Sequence, residues 1–497
     1  MKKLFLLFMF LFIFSLFSWE TPIVNEDIKP DPRVVVYIPA RLDSTRLPQK
    51  LLKVIDGKTV IERTYERAKF IRRAGRVCVI TNSSEIAAII GSDAQLIDKE
   101  YINGTERICD AFFNHSDHRE EIIVNVQGDE PYLEPSLVDY AIKKFQECES
   151  DSNLGAIFLH RDLLSEEAVQ PGRVKVVIDQ NNRLLYGSRS VIPYGNSPNY
   201  YARIGIMVYK ANALKEFWQH QDTPLANYED LHWLKLLEMG YTIKSFEVAN
   251  TVERSVETYE DDLSVLNEKY SKPRIFLIRS GGFSEHFVRK TNTLWPLREN
   301  DLVCRCKRTS FNNLDLFNGR VDYAFFNIEK YFFDLSTLKS TTFTANPSEN
   351  SIAVVNLSQY NELPKPVFFE KFCEANNFKH VEELDWNLCL YDFEKETGIK
   401  YIRGKKGRMV SLGFSALSYL RRNFPDHLIV LVDFTFEGVD VHSWDKEKEY
   451  ALRLERDGHL IRLLDNPTMT SEERKLMLKK AYAKEVPTPK RRLKNKH

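Results

Sequence analysis

The sequence lacks an excess of charge of either sign, because 70 basic residues balance 70 acidic ones over 497 positions. Without a global positive field, nothing in the charge predicts a nucleic acid as partner. Internal repeats and low-complexity tracts are missing outside the two ends. The seven cysteines show neither zinc spacing nor a paired framework, so we expect buried thiols. A chain of this length has room for two or three domains.

The N-terminal residues combine a basic pair with an apolar run. Residues 1–19 read MKKLFLLFMFLFIFSLFSW, and the run of roughly sixteen apolar residues is a little short for a bilayer span. Phe17 and Trp19 stand where a cleavage site would carry small residues, which favours a retained signal anchor over a cleaved signal peptide. We therefore expect a membrane-anchored protein. Lys2 and Lys3 would keep the N-terminus cytoplasmic and place the rest of the chain across the membrane. A glycan at the acceptor Asn103-Gly104-Thr105 would then block the site described below, so the side of the membrane stays open.

Strand-like and helix-like runs alternate from residue 33 to about residue 270. We predict strands at Val34–Pro39, Arg76–Thr81, Ile122–Val126, Gly155–Leu159 and Val174–Ile178. We predict helices at Thr59–Ile71, Ser84–Ile90, Glu134–Cys148, Ala211–Gln219 and Asn227–Met239. This alternation predicts an α/β fold with a Rossmann-like domain, a mostly parallel sheet and helices on both of its faces.

The alternation breaks at Ser271-Lys272-Pro273 and then resumes, which predicts a second α/β domain. Its predicted strands are Ile275–Ile278, Leu302–Arg305, Tyr323–Asn327, Ala353–Leu357 and Leu428–Phe434. The expected division is a signal anchor or signal peptide (1–19), a linker (20–32), a first domain (33–270), a second domain (274–464) and a basic tail (465–497). The tail is typical of a disordered end or of a contact with anionic lipid.

A basic loop follows the first predicted strand. It carries three cations and two hydroxyls, namely Arg41, Arg46, Lys50, Ser44 and Thr45. Such a loop at the carboxyl end of a parallel strand suits a polyphosphate in the crevice of the sheet. A solvated basic loop without a ligand is the alternative interpretation.

Two further motifs point to the same edge of the sheet. In Asn103-Gly104-Thr105-Glu106-Arg107, Thr105 can cap a helix whose free N–H groups suit an anion or a ribose hydroxyl. The strand Ile122–Val126 runs into Gln127-Gly128-Asp129-Glu130. Gln127 offers the donor and acceptor needed to read a base edge, and Asp129 is suited to a magnesium ion that bridges phosphates. An acidic turn without a ligand is the alternative.

Six motifs occur in the order IPARLDSTRLPQK, NGTER, VNVQGDEPYLEP, GRVKVVID, LLYGSRSVIPY and RIGIMVYK. Over residues 33–266 the sequence thereby resembles the 3-deoxy-manno-octulosonate (Kdo) cytidylyltransferases. The resemblance implies a homodimeric enzyme that uses Mg²⁺ and converts CTP and Kdo, or a Kdo-like ulosonic acid, into a CMP-sugar and pyrophosphate. It implies that Arg41, Arg46 and Lys50 hold the phosphates. We also expect Ser44, Thr45, Thr105, Arg107 and Arg203 to bind substrate. By the same resemblance Gln127 reads cytosine, Asp129 binds the metal and Arg189 pairs with the sugar carboxylate.

Three departures from the family pattern lie on the sugar side. Glu257 replaces the second metal-binding aspartate, and Arg203 replaces a histidine. The family's L-E-Q-L-R helix reads LHWLK at residues 231–235, whereas Glu229 is kept as an expected substrate-binding residue. Cytidylyl transfer is therefore better supported than Kdo as the acceptor. The alternatives are an N-acylneuraminate cytidylyltransferase and a nucleotide-binding protein that has lost turnover.

The second half carries a weaker pattern of a glycine turn after Ile275–Ile278, a D-x-x-x-R strand at residues 301–305, SLGFSAL at residues 411–417, and His442 with Glu447 five positions on. This succession is similar to the sialyltransferases. It implies a glycosyltransferase-like domain that transfers a CMP-activated sugar to a glycan or glycolipid, with His442 as general base. The family's asparagine two positions after the arginine is Lys307 here. A solvated loop histidine is the alternative interpretation of His442.

Overall fold

The computed structural model describes residues 28–42, 48–117, 119–163, 165–195, 200–248, 270–279, 283–306, 316–327, 333–334, 339–340, 350–357, 363–401, 410–434 and 444–464. They form two compact units that divide between residues 271 and 272, here called the N-terminal unit and the C-terminal unit. The strands of the N-terminal unit are β1 (Asp31–Ala40), β2 (Val54–Ile55), β3 (Lys58–Thr59), β4 (Ala74–Thr81), β5 (Ala94–Leu96), β6 (Ile122–Val126), β7 (Leu154–Leu163), β8 (Lys175–Ile178), β9 (Leu184–Ser188), β10 (Tyr200–Lys210) and β11 (Thr242–Glu247). Its helices are α1 (Val60–Ala68), α2 (Ser84–Ile90), α3 (Gly104–His115), α4 (Pro135–Cys148), α5 (Ser165–Ala168), α6 (Ala211–Gln219), α7 (Pro224–Glu229) and α8 (Leu234–Glu238).

A nine-stranded sheet forms the centre of the N-terminal unit. Its main path runs β11-β7-β10-β6-β1-β4-β5, with β8 and β9 added beside β10. β1 is parallel to β4 and β6, whereas β10 is antiparallel to β6 and β7. Five consecutive residues of β1, Val34–Ile38, have no exposed surface, so both faces of this strand are covered, as is usual for a central parallel strand. The α/β fold is confirmed for this unit, but its sheet is mixed, with four parallel and four antiparallel strand pairs.

The helices of the N-terminal unit begin where side chains satisfy their free N–H groups. Thr59 and Glu62 form a reciprocal capping box at the start of α1. The side chain of Glu134 caps α4, whose first residue is Pro135. The helix predicted over 227–239 is instead two helices, because Asp230 adopts a left-handed conformation (φ 51°) that ends α7.

The C-terminal unit has a parallel sheet of its own. Its strands are β12 (Arg274–Ile278), β13 (Leu302–Cys306), β14 (Tyr323–Asn327), β15 (Phe333–Asp334), β16 (Lys339–Ser340), β17 (Ile352–Asn356), β18 (His380–Glu383), β19 (Leu428–Val432) and β20 (Leu460–Leu463). Its helices are α9 (Glu285–Leu294), α10 (Lys365–Asn376), α11 (Trp386–Thr397), α12 (Leu412–Asn423) and α13 (Trp444–Arg456). Seven strands pair in the order β18-β17-β14-β13-β12-β19-β20, and every pair is parallel. The unit is therefore α/β, whereas its likeness to glycosyltransferases stays a prediction.

Polar groups of the D-x-x-x-R segment support the fold of the C-terminal unit. Asp301 is fully buried and forms an ion pair with Arg274. The equally buried Arg305 donates hydrogen bonds to the carbonyl oxygens of Leu316, at 2.8 Å, and Arg320, at 3.1 Å. Neighbouring Cys304 and Cys306 are buried thiols, as expected from the sequence.

His160 in the N-terminal unit and Glu447 in the C-terminal unit are buried acid–base groups whose pKa values lie far from their ordinary values. His160 of β7 contacts the Ser245 hydroxyl at 2.8 Å, and burial lowers its pKa to about 4. Glu447 of α13 accepts hydrogen bonds from the amide and hydroxyl of Ser411, the N-cap residue of α12. Burial raises the pKa of Glu447 to about 7, and the bonds from Ser411 offset this effect only in part.

The predicted membrane localisation is contradicted. In the described part of the chain, no helix is both long enough and apolar enough to cross a bilayer. The longest helix there is α4 with 14 residues, whereas a bilayer span needs about 20 apolar residues. Residues 1–19, on which the prediction depended, lie outside the described residues.

Candidate active site

A cavity of about 640 Å³ lies at the edge of the sheet where β1 and β6 end. The predicted site residues that line it are Arg41, Lys50, Thr105, Arg107, Gln127, Asp129, Arg189 and Arg203. Glu229 lies beside the cavity and does not line it. Outside the described residues are Ser44, Thr45, Arg46, Glu257 and His442. Residues from five separate sequence motifs therefore meet at one place.

An ion pair between Lys50 and Asp129 joins the two loops that follow β1 and β6. Lys50 begins a short 3₁₀ turn, Lys50–Leu52, and Asp129 lies three residues past the end of β6. Their side chains are only 14% and 25% exposed. The pair therefore places a cation and a carboxylate side by side at the carboxyl ends of β1 and β6.

Gly128 allows these loops to approach closely. A Cβ at this position would lie 2.9 Å from the carbonyl oxygen of Pro39, at the end of β1. The Thr64 hydroxyl of α1 donates a hydrogen bond to the Gly128 carbonyl oxygen at 3.0 Å. The turn that presents Asp129 is thereby held from two sides, and no side chain fits there without displacing it.

The N-terminus of α3 supplies another wall of the cavity. The cap of this helix is Asn103, whose side chain accepts a hydrogen bond from the Glu106 amide at 3.0 Å. The expectation that Thr105 caps the helix is therefore wrong, because the helix already begins at Gly104. Thr105 instead lines the cavity from the first turn. Arg107 is buried, with its guanidinium 4.8 Å from the centre of the Tyr101 ring.

Gln127 and Asn125 form a polar pair at the end of β6. The Gln127 amide nitrogen lies 3.2 Å from the side-chain oxygen of Asn125. Asn125 is nearly buried and lines the cavity, although sequence reasoning did not select it. The signal was present, since Asn125 is the only polar residue in the strand Ile122–Val126.

Arg189 is tied to the residues that follow α7. Its guanidinium donates a hydrogen bond to the Asp230 carboxylate at 3.0 Å. The Glu229 carboxylate accepts from the Tyr186 hydroxyl, the Ser188 hydroxyl and the Arg189 amide at 2.9, 2.8 and 3.1 Å. Burial alone would raise the pKa of Glu229, but these hydrogen bonds outweigh it and hold the pKa below its usual range.

Arg203 and Trp233 contact each other at the same end of the cavity. The guanidinium carbon of Arg203 lies 5.8 Å from the centre of the indole ring, within the range of a cation–π contact. The indole also covers Gly187, where a Cβ would lie 2.4 Å from the ring. Two of the positions that depart from the family pattern are thus in contact. His232, the residue before Trp233, also lines the cavity.

Comparisons with known proteins address residues 35–246, which match the family model described as "Cytidylyltransferase". The 3-deoxy-manno-octulosonate cytidylyltransferase of Fusobacterium nucleatum is 37% identical over 235 residues, which cover 46% of this chain and 94% of that protein. The chain belongs to the 3-deoxy-manno-octulosonate cytidylyltransferase family. The enzyme of that name from Flavobacterium johnsoniae is also 37% identical, over 46% of this chain and 95% of its own length.

A solved structure of a CMP:2-keto-3-deoxy-manno-octonic acid synthetase in complex with CTP is 31% identical to this chain. The match covers 45% of this chain and 93% of the chain in that structure, with a TM-score of 0.42. Family membership confirms the resemblance drawn from the six motifs. The N-terminal unit is a cytidylyltransferase domain of this family.

Proposed function

We propose that the N-terminal unit transfers the cytidylyl group of CTP to a 2-keto-3-deoxy sugar acid, Kdo or a closely related ulosonic acid. The products are a CMP-sugar and pyrophosphate. The observation that carries this proposal is the Lys50–Asp129 pair, which lies in one cavity with Arg189 and Arg203. A cation and a carboxylate at one end suit a nucleoside triphosphate, and two guanidinium groups at the other suit an acid.

The nucleotide end of the cavity combines positive charge with polar groups for a base. Arg41 and Lys50 contribute cations, and the first turn of α3 contributes the N–H groups of a helix N-terminus. In the reaction, a hydroxyl group of the sugar acid loses its proton to solvent, and its oxygen forms a bond to the α-phosphorus. The bond from that phosphorus to the β-bridging oxygen breaks, and pyrophosphate departs with the electron pair. Fixed cations stabilise the charge on the departing group, and positioning provides most of the remaining acceleration.

Asp129 fits the ligand chemistry of Mg²⁺. A carboxylate is a hard oxygen donor, and Mg²⁺ is commonly held by one or two carboxylates together with phosphate oxygens of the substrate. The Asp129 carboxylate pairs with the ammonium of Lys50 in this structure, so a bound Mg²⁺ would share or replace that partner. Within the described residues, no cluster of three or more acidic, His or Cys side chains could hold a metal ion. We infer that CTP supplies most of the ligands. Bound there, Mg²⁺ would neutralise phosphate charge.

The acceptor end determines which ulosonic acid is used. Arg203, His232 and Trp233 lie there and depart from the family pattern, whereas the described nucleotide residues match it. A panel of Kdo, related ulosonic acids and N-acetylneuraminic acid, assayed for pyrophosphate release with CTP and Mg²⁺, identifies the substrate. Release with none of them would refute the proposal. Tight CTP binding in calorimetry without release would instead favour a nucleotide-binding protein.

Asp129→Asn tests the central pair directly. We expect kcat to fall by about 10²–10³-fold, the range measured when one preorganised charge-stabilising group is removed. The matched control is Asp117→Asn, which removes a carboxylate that pairs with Arg119 and does not line the cavity. Equal activities of the two variants would contradict the assigned site.

For the C-terminal unit we infer transfer of the CMP-linked sugar to a glycan or glycolipid. The inference depends on the sialyltransferase-like motifs. It is supported by the Arg279–Asp433 ion pair, since these residues follow β12 and β19, and α/β proteins bind ligands at the carboxyl ends of neighbouring parallel strands. His442→Ala should abolish sugar transfer and preserve CMP-sugar synthesis. Loss of both activities, or of neither, would contradict it.

A further inference from the structure

A lysine is completely buried on β8, next to the acceptor end of the cavity. Lys175 has no exposed surface and lies opposite Ser188 of β9 and Ala202 of β10. Burial, with a further effect from the nearby charge of Arg189, lowers the pKa of its ammonium. A buried cation is costly, and an apolar side chain of similar volume is often at least as stable. We therefore expect Lys175 to have a role other than stabilising the fold.

The ammonium of Lys175 is hydrogen-bonded to the backbone of two segments that border the cavity. It donates to the carbonyl oxygen of Gln170 at 2.9 Å and to the carbonyl oxygen of Arg189 at 2.5 Å. Gly172 and Val174, which follow Gln170, line the cavity, as does Arg189. Lys175 therefore connects two walls of the acceptor end.

The other side of Arg189 is held by Glu229. Its carboxylate accepts the Arg189 amide at 3.1 Å and the hydroxyl of the preceding Ser188 at 2.8 Å. The amide and the carbonyl of a single residue are thus bound by opposite charges from β8 and α7. Because both its amide and its carbonyl are hydrogen-bonded, the backbone of Arg189 has little freedom. Its side chain therefore extends from a fixed position at the cavity wall.

We propose that Lys175 and Glu229 are positioning residues that together orient Arg189 toward the carboxylate of the sugar acid. The assignment rests on the proposed function of the N-terminal unit. It changes the expected role of Glu229, whose oxygens bind Tyr186, Ser188 and the Arg189 amide and which does not line the cavity. Neither residue needs to touch the substrate.

Hydrogen exchange of the substrate-free full-length protein tests the positioning itself. Lys175→Met keeps the length of the side chain and removes its hydrogen bonds, so exchange of the peptide 186–192 should rise at least tenfold. The matched control is Lys235→Met, since Lys235 is also buried and donates to a carbonyl oxygen, that of His220 at 2.5 Å, but does not line the cavity. It should change exchange near residue 220 and leave peptide 186–192 within twofold. Unchanged exchange of that peptide in Lys175→Met would overturn the proposal.

Steady-state kinetics tests the consequence for the substrate. Lys175→Met should raise the KM for the sugar acid at least tenfold and leave the KM for CTP within twofold, whereas Lys235→Met should leave both within twofold. In an Arg189→Ala background, Lys175→Met should raise the KM for the sugar acid by less than a further twofold, because Lys175 acts through Arg189. The proposal would be overturned if the KM for the sugar acid rose in the Arg189→Ala background as much as it does in the wild type, or if both KM values rose equally.

Two further arms cover the remaining outcomes. Should Lys175→Met fail to fold, Glu229→Gln replaces it in both experiments, with the same expected selectivity and the same refuting results. A wild-type protein that shows no turnover with any sugar acid, but gains exchange at 186–192 in Lys175→Met, would refute the proposed function and leave the positioning of Arg189 supported.

Discussion

Replacing Gly128 with alanine perturbs the contact between the two loops that carry Lys50 and Asp129. The added Cβ would lie 2.9 Å from the Pro39 carbonyl oxygen, 3.4 Å from Ile61 Cδ1 and 3.5 Å from Leu51 Cδ1. The first of these atoms is backbone directly after the buried run Val34–Ile38 of β1, so the loop of Gly128 must move instead. A shift of about 0.5 Å restores an ordinary contact distance.

We expect this shift to lower both the stability of the protein and its activity. Overpacking of a well-packed site costs about 1–3 kcal/mol. Because a misplacement of about 1 Å lowers enzymatic rates by about 10²-fold, we expect kcat/KM to fall by roughly 10–100-fold. Pyrophosphate release measures the activity, and a urea titration measures the free energy of unfolding.

Gly155→Ala separates the two effects. Its added Cβ would also lie 2.9 Å from a neighbour, but that neighbour is the side chain of Tyr241, and Gly155 does not line the cavity. We expect this variant to lose stability and to keep kcat/KM within twofold of the wild type. If Gly128→Ala keeps the same activity as Gly155→Ala at equal loss of stability, the close fit of the two loops is not what positions Asp129.

Three further predictions concern the acceptor end and the two buried titratable groups. Arg203→His should lower kcat/KM for the preferred sugar acid at least tenfold in the pyrophosphate assay and leave the KM for CTP within twofold, because a neutral ring replaces the guanidinium above Trp233. Between pH 6.5 and about 4 the unfolded chain binds a proton at His160 that the folded chain excludes. The free energy of unfolding of the N-terminal unit should therefore decrease by up to roughly 3 kcal/mol as the pH falls through this window. Between pH 4.5 and about 7 folded Glu447 keeps a proton that the unfolded chain releases, so the C-terminal unit should lose a similar free energy as the pH rises. Urea titrations at several pH values, followed by hydrogen exchange of each unit, measure both slopes.

Each of these predictions has a matched control. Arg183→His replaces an arginine that pairs with Asp179 outside the cavity, and it should leave both KM values unchanged. His160→Gln and Glu447→Gln should flatten the respective pH slopes. Slopes that persist in these variants would show that other groups cause them, and equal effects of the two arginine substitutions would remove Arg203 from acceptor recognition.

The sequence predicted most reliably what lies within one strand and the loop that follows it. Ile122–Val126 is apolar and ends in Gln127, so both the strand and the place of Asp129 could be read locally. Asn125 was missed because its contact with the cavity depends on which strands flank β6, and one of them, β10, is antiparallel and distant in sequence.

Other differences arise where tertiary contacts decide the role of a residue. The helical pattern over 227–239 continues through Asp230, but the ion pair with Arg189 and the left-handed backbone at Asp230 separate α7 from α8. Glu229 was expected to bind substrate, since the motif alone does not reveal that its oxygens are already taken by β9. In the C-terminal unit, the arginine of the D-x-x-x-R pattern donates to buried carbonyl oxygens, a use that spacing cannot distinguish from donor binding.

The cavity is lined by two separate stretches of chain, residues 39–130 and residues 172–233. The earlier stretch contributes Lys50 and Asp129, and the later one contributes Arg189, Arg203 and Trp233. If the proposed function holds, substitutions in the later stretch would change the choice of sugar acid and leave the triphosphate site unchanged. Exchanging the later stretch as a cassette with that of a relative would create chimeras of altered acceptor preference, a route by which this scaffold could diversify its products.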